Sequence, residues 1–203
     1  MNKPCLWLGL WAGLMLPYAL LADDTDTRAE THANIRQAIT EGNRAYEAGE
    51  LSQAATQFDY VSTLIRQLQA SELGTLFPEP FTGWQAEPVN TQAGATAFFG
   101  GGINASRRYR KDGGNLEISI TKDSPLLQTM AMLFTNPSMA AMAGYRIKRI
   151  QGQTAMMKKE GNSRELQMLI ANRILIRFNG QGITEQDLNA YAEALDIEAI
   201  IRL

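Results

Sequence analysis

The spacing of apolar residues changes near the middle of this chain, and the change separates an N-terminal part that is helical from a second part that contains the strands. Between residues 35 and 68 apolar side chains recur at steps of three and four, as on one face of an α-helix. Beyond residue 100 they alternate with polar residues, most clearly at Leu116, Ile118 and Ile120, which is the pattern of a half-buried strand. We therefore predict an α+β protein, in which an N-terminal helical hairpin precedes an antiparallel sheet of about six strands with helices on one face.

The helical part, residues 34–75, is expected to form two helices that are separated at Gly49. Five residues of this segment combine small side chains with two aromatic ones at fixed spacing: Gly42, Tyr46, Gly49, Ala54 and Phe58. In type and spacing they resemble a single tetratricopeptide repeat, in which small residues let two helices approach and Phe58 lies between them. One such repeat does not bury its own apolar face. The resemblance therefore implies that the hairpin docks on the rest of the chain or on a partner.

Residues 76–203 are expected to form the α+β domain. Six strands are predicted, at 105–110, 116–121, 145–150, 154–159, 165–170 and 173–179. The connections between most of them are too short for parallel pairing, so the strands should be antiparallel. Over residues 84–203 the order of elements, which is a hairpin, a helix, a meander and a C-terminal helix, resembles the Mog1/PsbP-like α+β fold. That resemblance implies a fold and no particular activity.

The first 22 residues have the pattern of a secretory signal peptide. Lys3 precedes an uncharged apolar run, Pro17 ends that run, and the small residue Ala22 comes just before two acidic residues. A retained N-terminal anchor is the alternative. We expect a periplasmic or secreted protein with no transmembrane segment after cleavage, and a flexible polar leader over residues 23–33. Cys5 is the one cysteine of the sequence, so the chain beyond residue 22 has no thiol for a disulfide or for thiolate chemistry.

Several kinds of catalytic or cofactor site are disfavoured by the sequence. His32 is the single histidine, whereas a metal site uses several converging ligands and a Cys–His or Ser–His centre needs a placed histidine. The run Gly100-Gly101-Gly102 lacks the Gly-Lys-Ser/Thr of a phosphate loop and precedes a strand, so it is interpreted as a strand entry. We predict no metal, no cofactor and no enzymatic activity. A carboxylate-based hydrolase is the alternative, and its candidate residues are Asp112, Glu117 and Asp123.

Methionine is concentrated in the second half of the chain, where seven methionines lie between residues 130 and 168. Three readings remain open: packing in the core, an adaptable surface for an apolar ligand, and thioether binding of Cu(I). For the apolar-ligand reading the candidate residues are Met130, Met142 and Met168. That reading would make the protein a carrier with a methionine-rich interior.

Charge is segregated along the chain, although the net charge is only −2. Residues 101–178 contain thirteen basic and five acidic residues, and the flanking segments are acidic. The candidate binding residues are Arg107, Arg108, Arg110, Lys111, Arg146, Lys148 and Arg149. Because strand neighbours point to opposite faces, Arg108 and Arg110 should share one face, and Arg107 and Lys111 the other. The basic strands form either a solvated face that the acidic helices balance or a platform for an anionic partner.

The sequence thus favours a non-enzymatic exported protein that acts as an interaction module or an envelope-associated binding module. Its binding surfaces would be the basic sheet face and the helical hairpin, and its partner a protein or an anionic component of the cell envelope. A nucleic-acid partner is disfavoured by export and by the scarcity of aromatic residues among the basic strands, where Tyr109 stands alone.

Overall fold

The computed structural model describes residues 23–93 and 102–203. The helices are α1 (Asp23–Glu47), α2 (Leu51–Gly74), α3 (Leu126–Thr135), α4 (Pro137–Met142), α5 (Glu185–Ala194) and α6 (Ile197–Arg202). The strands are β1 (Gln85–Ala86), β2 (Asn90–Ala93), β3 (Ile103–Lys111), β4 (Gly114–Lys122), β5 (Arg146–Ile150), β6 (Gln153–Glu160), β7 (Ser163–Ile170) and β8 (Ile174–Gln181). The α+β class is confirmed, with a helical pair before an antiparallel sheet.

The first helix extends further toward the N-terminus than the sequence pattern indicated. Helix α1 begins at Asp23, so the segment 23–33, expected to be a flexible leader, is helical. Acidic residues in a first helical turn are favoured by the helix dipole, and the segment contains neither glycine nor proline to end the helix. The guanidinium of Arg28 also donates a hydrogen bond to Glu72 near the end of α2. The predicted signal peptide, residues 1–22, lies outside the described residues.

The sheet has eight strands in the order β1-β3-β4-β8-β7-β6-β5, and β2 also pairs with β3. Neighbouring strands are antiparallel throughout this order. All six predicted strands are present. The two additional strands, β1 and β2, are two and four residues long, which is too short to produce a recognisable period in the sequence.

Both faces of the sheet bear helices, where the sequence indicated one. On the first face, Ile118 and its neighbours pack against residues of α2, α5 and α6 in the main core. On the opposite face, Met156 and Leu175 form a smaller apolar cluster with Leu127 and Phe134 of the α3–α4 pair. The second cluster exists because β6 and β8 place apolar side chains at successive positions, and successive positions point to opposite faces.

Helix α5 begins with a reciprocal cap between Thr184 and Asp187. The Thr184 hydroxyl accepts a hydrogen bond from the Asp187 N–H at 3.1 Å, and the Asp187 carboxylate accepts one from the Thr184 N–H at 2.8 Å. Thr184→Ala is expected to lower the free energy of unfolding by about 1 kcal/mol, because the helix loses this acceptor. Urea unfolding measures the loss. Thr184→Ser, which keeps the hydroxyl, should stay close to wild type, and equal losses in both variants would contradict the assignment.

Candidate functional site

The structure distributes the seven predicted basic residues over both faces of the sheet. The alternation is as expected: Arg108 and Arg110 share a face, and Arg107 and Lys111 lie on the other. Strand β5 follows the same rule, since Lys148 registers with the core residue Ala155 and therefore lies on the main-core face. The main-core face holds Arg107, Lys111, Arg146 and Lys148, and the opposite face holds Arg108, Arg110 and Arg149.

Two of the cations on the main-core face hold other segments of the chain in place. Arg107 donates hydrogen bonds to the carbonyl oxygens of Pro78 and Glu87, each at 3.2 Å. Lys111 donates to the Asp187 carboxylate at 2.7 Å and lies 4.8 Å from the centre of the Trp84 ring. Burial alone would raise the pKa of Asp187, but the hydrogen bonds from Lys111 and Thr184 outweigh burial and lower it. These cations therefore fasten residues 78–87 and α5 to the sheet.

The three basic candidates on β5 also have partners within the chain. Arg146 lies 3.2 Å from the Glu185 carboxylate, and Lys148 donates to the Asn189 side-chain oxygen at 2.6 Å, both on α5. Arg149 donates to the carbonyl oxygen of Gly152 at 2.6 Å. Helix α5 thus balances part of the basic sheet within the molecule.

Arg108 and Arg110 instead lie on an open part of the second sheet face, away from the apolar cluster under α3 and α4. They line a depression of about 360 Å³. Two rows of paired strand positions form it, and we call this surface the polar face: Arg108, Arg110, Asn115, Glu117, Asn179 and Gln181. A second depression of about 150 Å³, lined in part by Glu87, Asn90 and Ser106, shares Arg108 and Glu117 with the first.

Each arginine of the polar face has a carboxylate beside it. Arg108 donates to the Glu117 carboxylate at 2.6 Å, and Arg110 lies 2.5 Å from the Glu87 carboxylate. The hydrogen bond to Glu117 raises the pKa of Arg108 above its ordinary value. All four side chains are more than a third exposed. Exposed pairs of this kind contribute about 0–1 kcal/mol, so a ligand carboxylate or phosphate could take the place of either glutamate at small cost.

The same sheet face also contains buried polar atoms without a hydrogen-bond partner in the described part of the chain. They are Asn104 Oδ1, Gln167 Oε1 and Arg177 Nε. Arg177 and Gln167 are paired strand positions, one row from the Asn179–Glu165 pair, and Arg177 Nε lies within ion-pair distance, 3.9 Å, of the Glu165 carboxylate. Such atoms are uncommon in native structures, where most buried polar atoms have a partner in the protein or in ordered water. They extend the hydrogen-bonding capacity of the polar face toward the α3–α4 pair.

Tyr145 contacts the polar residues at this end of the sheet face. The Tyr145 hydroxyl donates to the Glu165 carboxylate at 3.0 Å and accepts from the Gln167 amide at 3.1 Å. Burial, followed by the nearby charge of Glu165, raises the pKa of Tyr145 to about 12. The group therefore stays protonated at neutral pH and acts as a hydrogen-bonding support rather than as a proton acceptor.

Sequence reasoning missed the amide side chains of this face. Asn179 and Gln181 alternate with apolar or small residues along β8, and Asn115 and Glu117 do so along β4. A search for polar residues with a period of two, applied to the outward positions of both strands, would have found them. Their juxtaposition depends on the pairing of β4 with β8, which no local pattern encodes.

The three candidate methionines are not brought together. Met168 is fully buried in the main core, and Met130 packs in the apolar cluster on the opposite face of the sheet. Met142, on α4, is 89% exposed. No common cavity is therefore lined by these three side chains.

The candidate carboxylates are also separated. Glu117 is held by Arg108, whereas Asp123 accepts hydrogen bonds from Arg173 at 2.9 and 3.1 Å. Asp112 lies in the turn before β4 and Asp123 just after β4, so a nine-residue strand of about 30 Å separates them. The three residues do not form one acid–base pair.

The single histidine and the glycine run at residues 100–102 were the remaining candidate features of the sequence. His32 is exposed on α1, and residues 23–93 and 102–203 contain no group of three histidine, cysteine or acidic residues arranged to hold a metal. Gly102 precedes β3 with φ of 104°, and a Cβ there would lie 2.7 Å from the Lys122 carbonyl oxygen. Gly102 is thus a strand entry that requires glycine, while Gly100 and Gly101 lie outside the described residues.

Comparison of the chain with models of protein families, with curated proteins and with solved structures gives no match. Within the described ranges, no helix combines the length and the apolar character needed to cross a membrane.

Proposed function

We propose that this chain is a non-enzymatic exported binding module whose polar face holds an anionic partner, either a protein segment or a polymer of the cell envelope. The observation that carries the proposal is the pair of arginines on the open part of the second sheet face. Arg108 and Arg110 line a depression there. Further along the same face, Asn104 Oδ1 and Gln167 Oε1 have no hydrogen-bond partner among the described residues. Export is supported by the charged, apolar and small-residue pattern of residues 1–22.

Binding would proceed by exchange of carboxylates. A carboxylate or phosphate of the partner replaces Glu117 at Arg108 or Glu87 at Arg110, and the planar guanidinium holds two of its oxygens at once. The amides of Asn115, Asn179 and Gln181 then donate to or accept from the partner's neutral polar groups. Because adjacent strands lie about 5 Å apart, the paired rows suit a partner that carries polar groups at regular intervals.

The test uses the double variant Arg108→Glu, Arg110→Glu and two probes, a glutamate-rich peptide and vesicles that contain an anionic phospholipid. We expect wild type to bind at least one probe with an affinity that falls as salt rises. The double variant should lose about tenfold or more of that affinity, since it removes two charge-assisted contacts. The peptide and vesicle results distinguish a protein partner from an envelope component.

The matched control is Lys159→Glu, Arg202→Glu, which makes the same charge change at exposed positions outside the polar face. This control should keep wild-type affinity to within about twofold. Equal losses in both double variants would indicate a nonspecific charge effect and would contradict the proposal. So would a wild-type protein that binds neither probe at low salt.

A further inference from the structure

The helical hairpin extends beyond the main core of the domain. Both helices, of 25 and 24 residues, are about 36 Å long. Among the described core residues, the hairpin contributes only Ala70 and Leu73 to the main core, and both lie near the C-terminal end of α2. The other buried positions of the pair, such as Ala38 and Val61, lie where α1 packs on α2. The end of the hairpin near residues 47–51 therefore projects from the domain.

One side of this projecting pair is apolar and exposed. On α2, Leu51, Phe58 and Ile65 recur every seven residues and are 64%, 39% and 42% exposed. On α1, Ile39 and Tyr46 are 39% and 65% exposed. These five residues are named the hairpin face: Ile39, Tyr46, Leu51, Phe58 and Ile65.

The exposed apolar residues of α1 and those of α2 form one continuous surface. Gly42 falls between Ile39 and Tyr46 on the surface of α1, because residues three and four apart are neighbours on a helix. A Cβ at Gly42 would lie 2.9 Å from the Phe58 ring, so the ring of Phe58 packs directly over Gly42. A contiguous apolar patch of this kind on a soluble protein marks an interaction surface.

The spacing of the hairpin face fits a second copy of itself. A seven-residue apolar repeat is the pattern of a seam between packed helices. A two-fold axis that crosses the helices at Phe58 places Leu51 of one protomer over Ile65 of its partner, because each lies seven residues from Phe58. The face is then self-complementary, which is what an isologous dimer interface requires.

Charges beside the hairpin face support the same two-fold arrangement. Glu50 precedes Leu51 at the projecting end, and Arg66 follows Ile65 toward the domain. On α1, Glu47 and Arg36 lie at similar distances on either side of Gly42. The two-fold operation brings each arginine of one protomer near a glutamate of its partner. All four residues are exposed, and none of them forms an ion pair with another described residue.

The area available to this pairing is modest. With the two-fold axis at Phe58, residues 51–65 of α2 overlap with their copies, which is about 21 Å of helix. Two adjacent helices about 10 Å wide then bury about 420 Å² on each protomer and about 840 Å² in total, the size of a weak and reversible interface. We propose that the chain forms a homodimer in which two hairpins pack face to face as an antiparallel four-helix bundle, with Phe58 at the two-fold axis.

The first experiment measures mass by sedimentation velocity on protein expressed from the full-length sequence. Wild type should shift from the chain mass toward twice that mass as its concentration rises through the micromolar range. Leu51→Lys, Ile65→Lys should weaken the dimer about a hundredfold or more, because four lysines then meet at the seam. Tyr60 is 47% exposed and lies two residues from Phe58, on another side of α2. Tyr60→Lys should therefore stay dimeric, and circular dichroism checks that all variants remain folded.

A second experiment fixes the geometry. Glu50→Arg and Arg66→Glu should each weaken the dimer, and the two changes together should restore it, because the two-fold axis pairs these positions. In a Cys5→Ser background, Phe58→Cys should form a disulfide with its own copy under oxidation. Leu51→Cys and Ile65→Cys should cross-link efficiently only when mixed.

Three results would overturn the dimer: a monomer at all micromolar concentrations, a dimer that Leu51→Lys, Ile65→Lys leaves intact, or loss of the dimer in Tyr60→Lys alone. The inference does not depend on the polar face. Arg108→Glu, Arg110→Glu should leave the mass unchanged, so failure of one proposal is distinguishable from failure of the other.

Discussion

Tyr191→Ala is expected to lower the free energy of unfolding by about 3–5 kcal/mol, the range for removing a fully buried aromatic ring. Tyr191 is completely buried on α5. Its ring centre lies 4.6 Å from those of Phe81 and Tyr109 and 5.1 Å from that of Trp84. The ring thus joins α5, the segment before β1, and β3. Its loss leaves a cavity at the junction of all three.

Two further variants test whether the loss of stability comes from the buried ring. One removes only the hydroxyl of Tyr191, and the other removes an exposed ring elsewhere. Tyr191→Phe keeps the ring and loses only the acceptor for the Phe81 N–H, a 3.3 Å hydrogen bond, so its cost should be about 1 kcal/mol. Tyr60→Ala removes an exposed ring and should change stability by less than about 0.5 kcal/mol. Chemical unfolding measures all three. A Tyr191→Ala cost no larger than that of Tyr191→Phe would mean that the aromatic cluster does not hold the three segments together.

Lys122→Met is expected to change stability in the opposite direction and to raise the free energy of unfolding by about 1–4 kcal/mol. Lys122 is 2% exposed, and its Nζ has no hydrogen-bond partner in the part of the chain that the structure describes. It registers with Ile103 on β3 and Ile174 on β8, so it occupies an apolar position of the main-core face. Methionine has a similar length and removes the cost of burying an unpaired ammonium group.

The stabilisation should depend on pH in a defined direction. Burial lowers the pKa of Lys122 below its ordinary value of 10.5, and the charge of Arg173 lowers it further while that of Asp123 opposes the shift. The unfolded chain therefore binds more protons than the folded chain between the folded pKa and 10.5. Wild type gains stability as pH rises through this interval, and its deficit relative to Lys122→Met should shrink.

Urea unfolding of both proteins across the alkaline range measures this difference. Lys159→Met is the control, because Lys159 is an exposed lysine on β6 of the same sheet, and its effect should be small at every pH. A Lys122→Met protein that is less stable than wild type, or a difference that does not change with pH, would show that the amine has a favourable partner in the folded protein.

Local patterns were sufficient to predict most of the secondary structure. Alternation at Leu116, Ile118 and Ile120 placed β4, because side-chain direction along a strand depends only on sequence parity. The break near Gly49 separated α1 from α2 because this glycine adopts a φ of 78°. The start of α1 was missed, since residues 23–33 lack an apolar stripe and their helix is supported by the contact of Arg28 with Glu72, which lies in the other helix.

The candidate site was predictable only in part, because its chemistry depends on long-range pairing. Parity correctly separated Arg108 from Arg107, but the partners of these residues, Glu117 and the carbonyl oxygens of residues 78–87, follow from strand order and from how that segment packs. The prediction that Met130, Met142 and Met168 share one cavity could not be checked locally for the same reason. Met168 lies on β7 in the main core, whereas Met130 lies on α3. The packing of α3 on the opposite face of the sheet separates the two residues.

The pairing of β4 with β8 has a kinetic consequence. The β3–β4 hairpin and the β5–β8 meander can each form from neighbouring residues, but they join only where β4 meets β8, as at Glu117 and Asn179, about sixty positions apart in the chain. Contacts between residues so far apart in the chain cost more loop-closure entropy and form more slowly than local ones. The sheet should therefore be completed only when β8 pairs with β4. The two halves of the sheet should then gain their final stability together rather than one after the other.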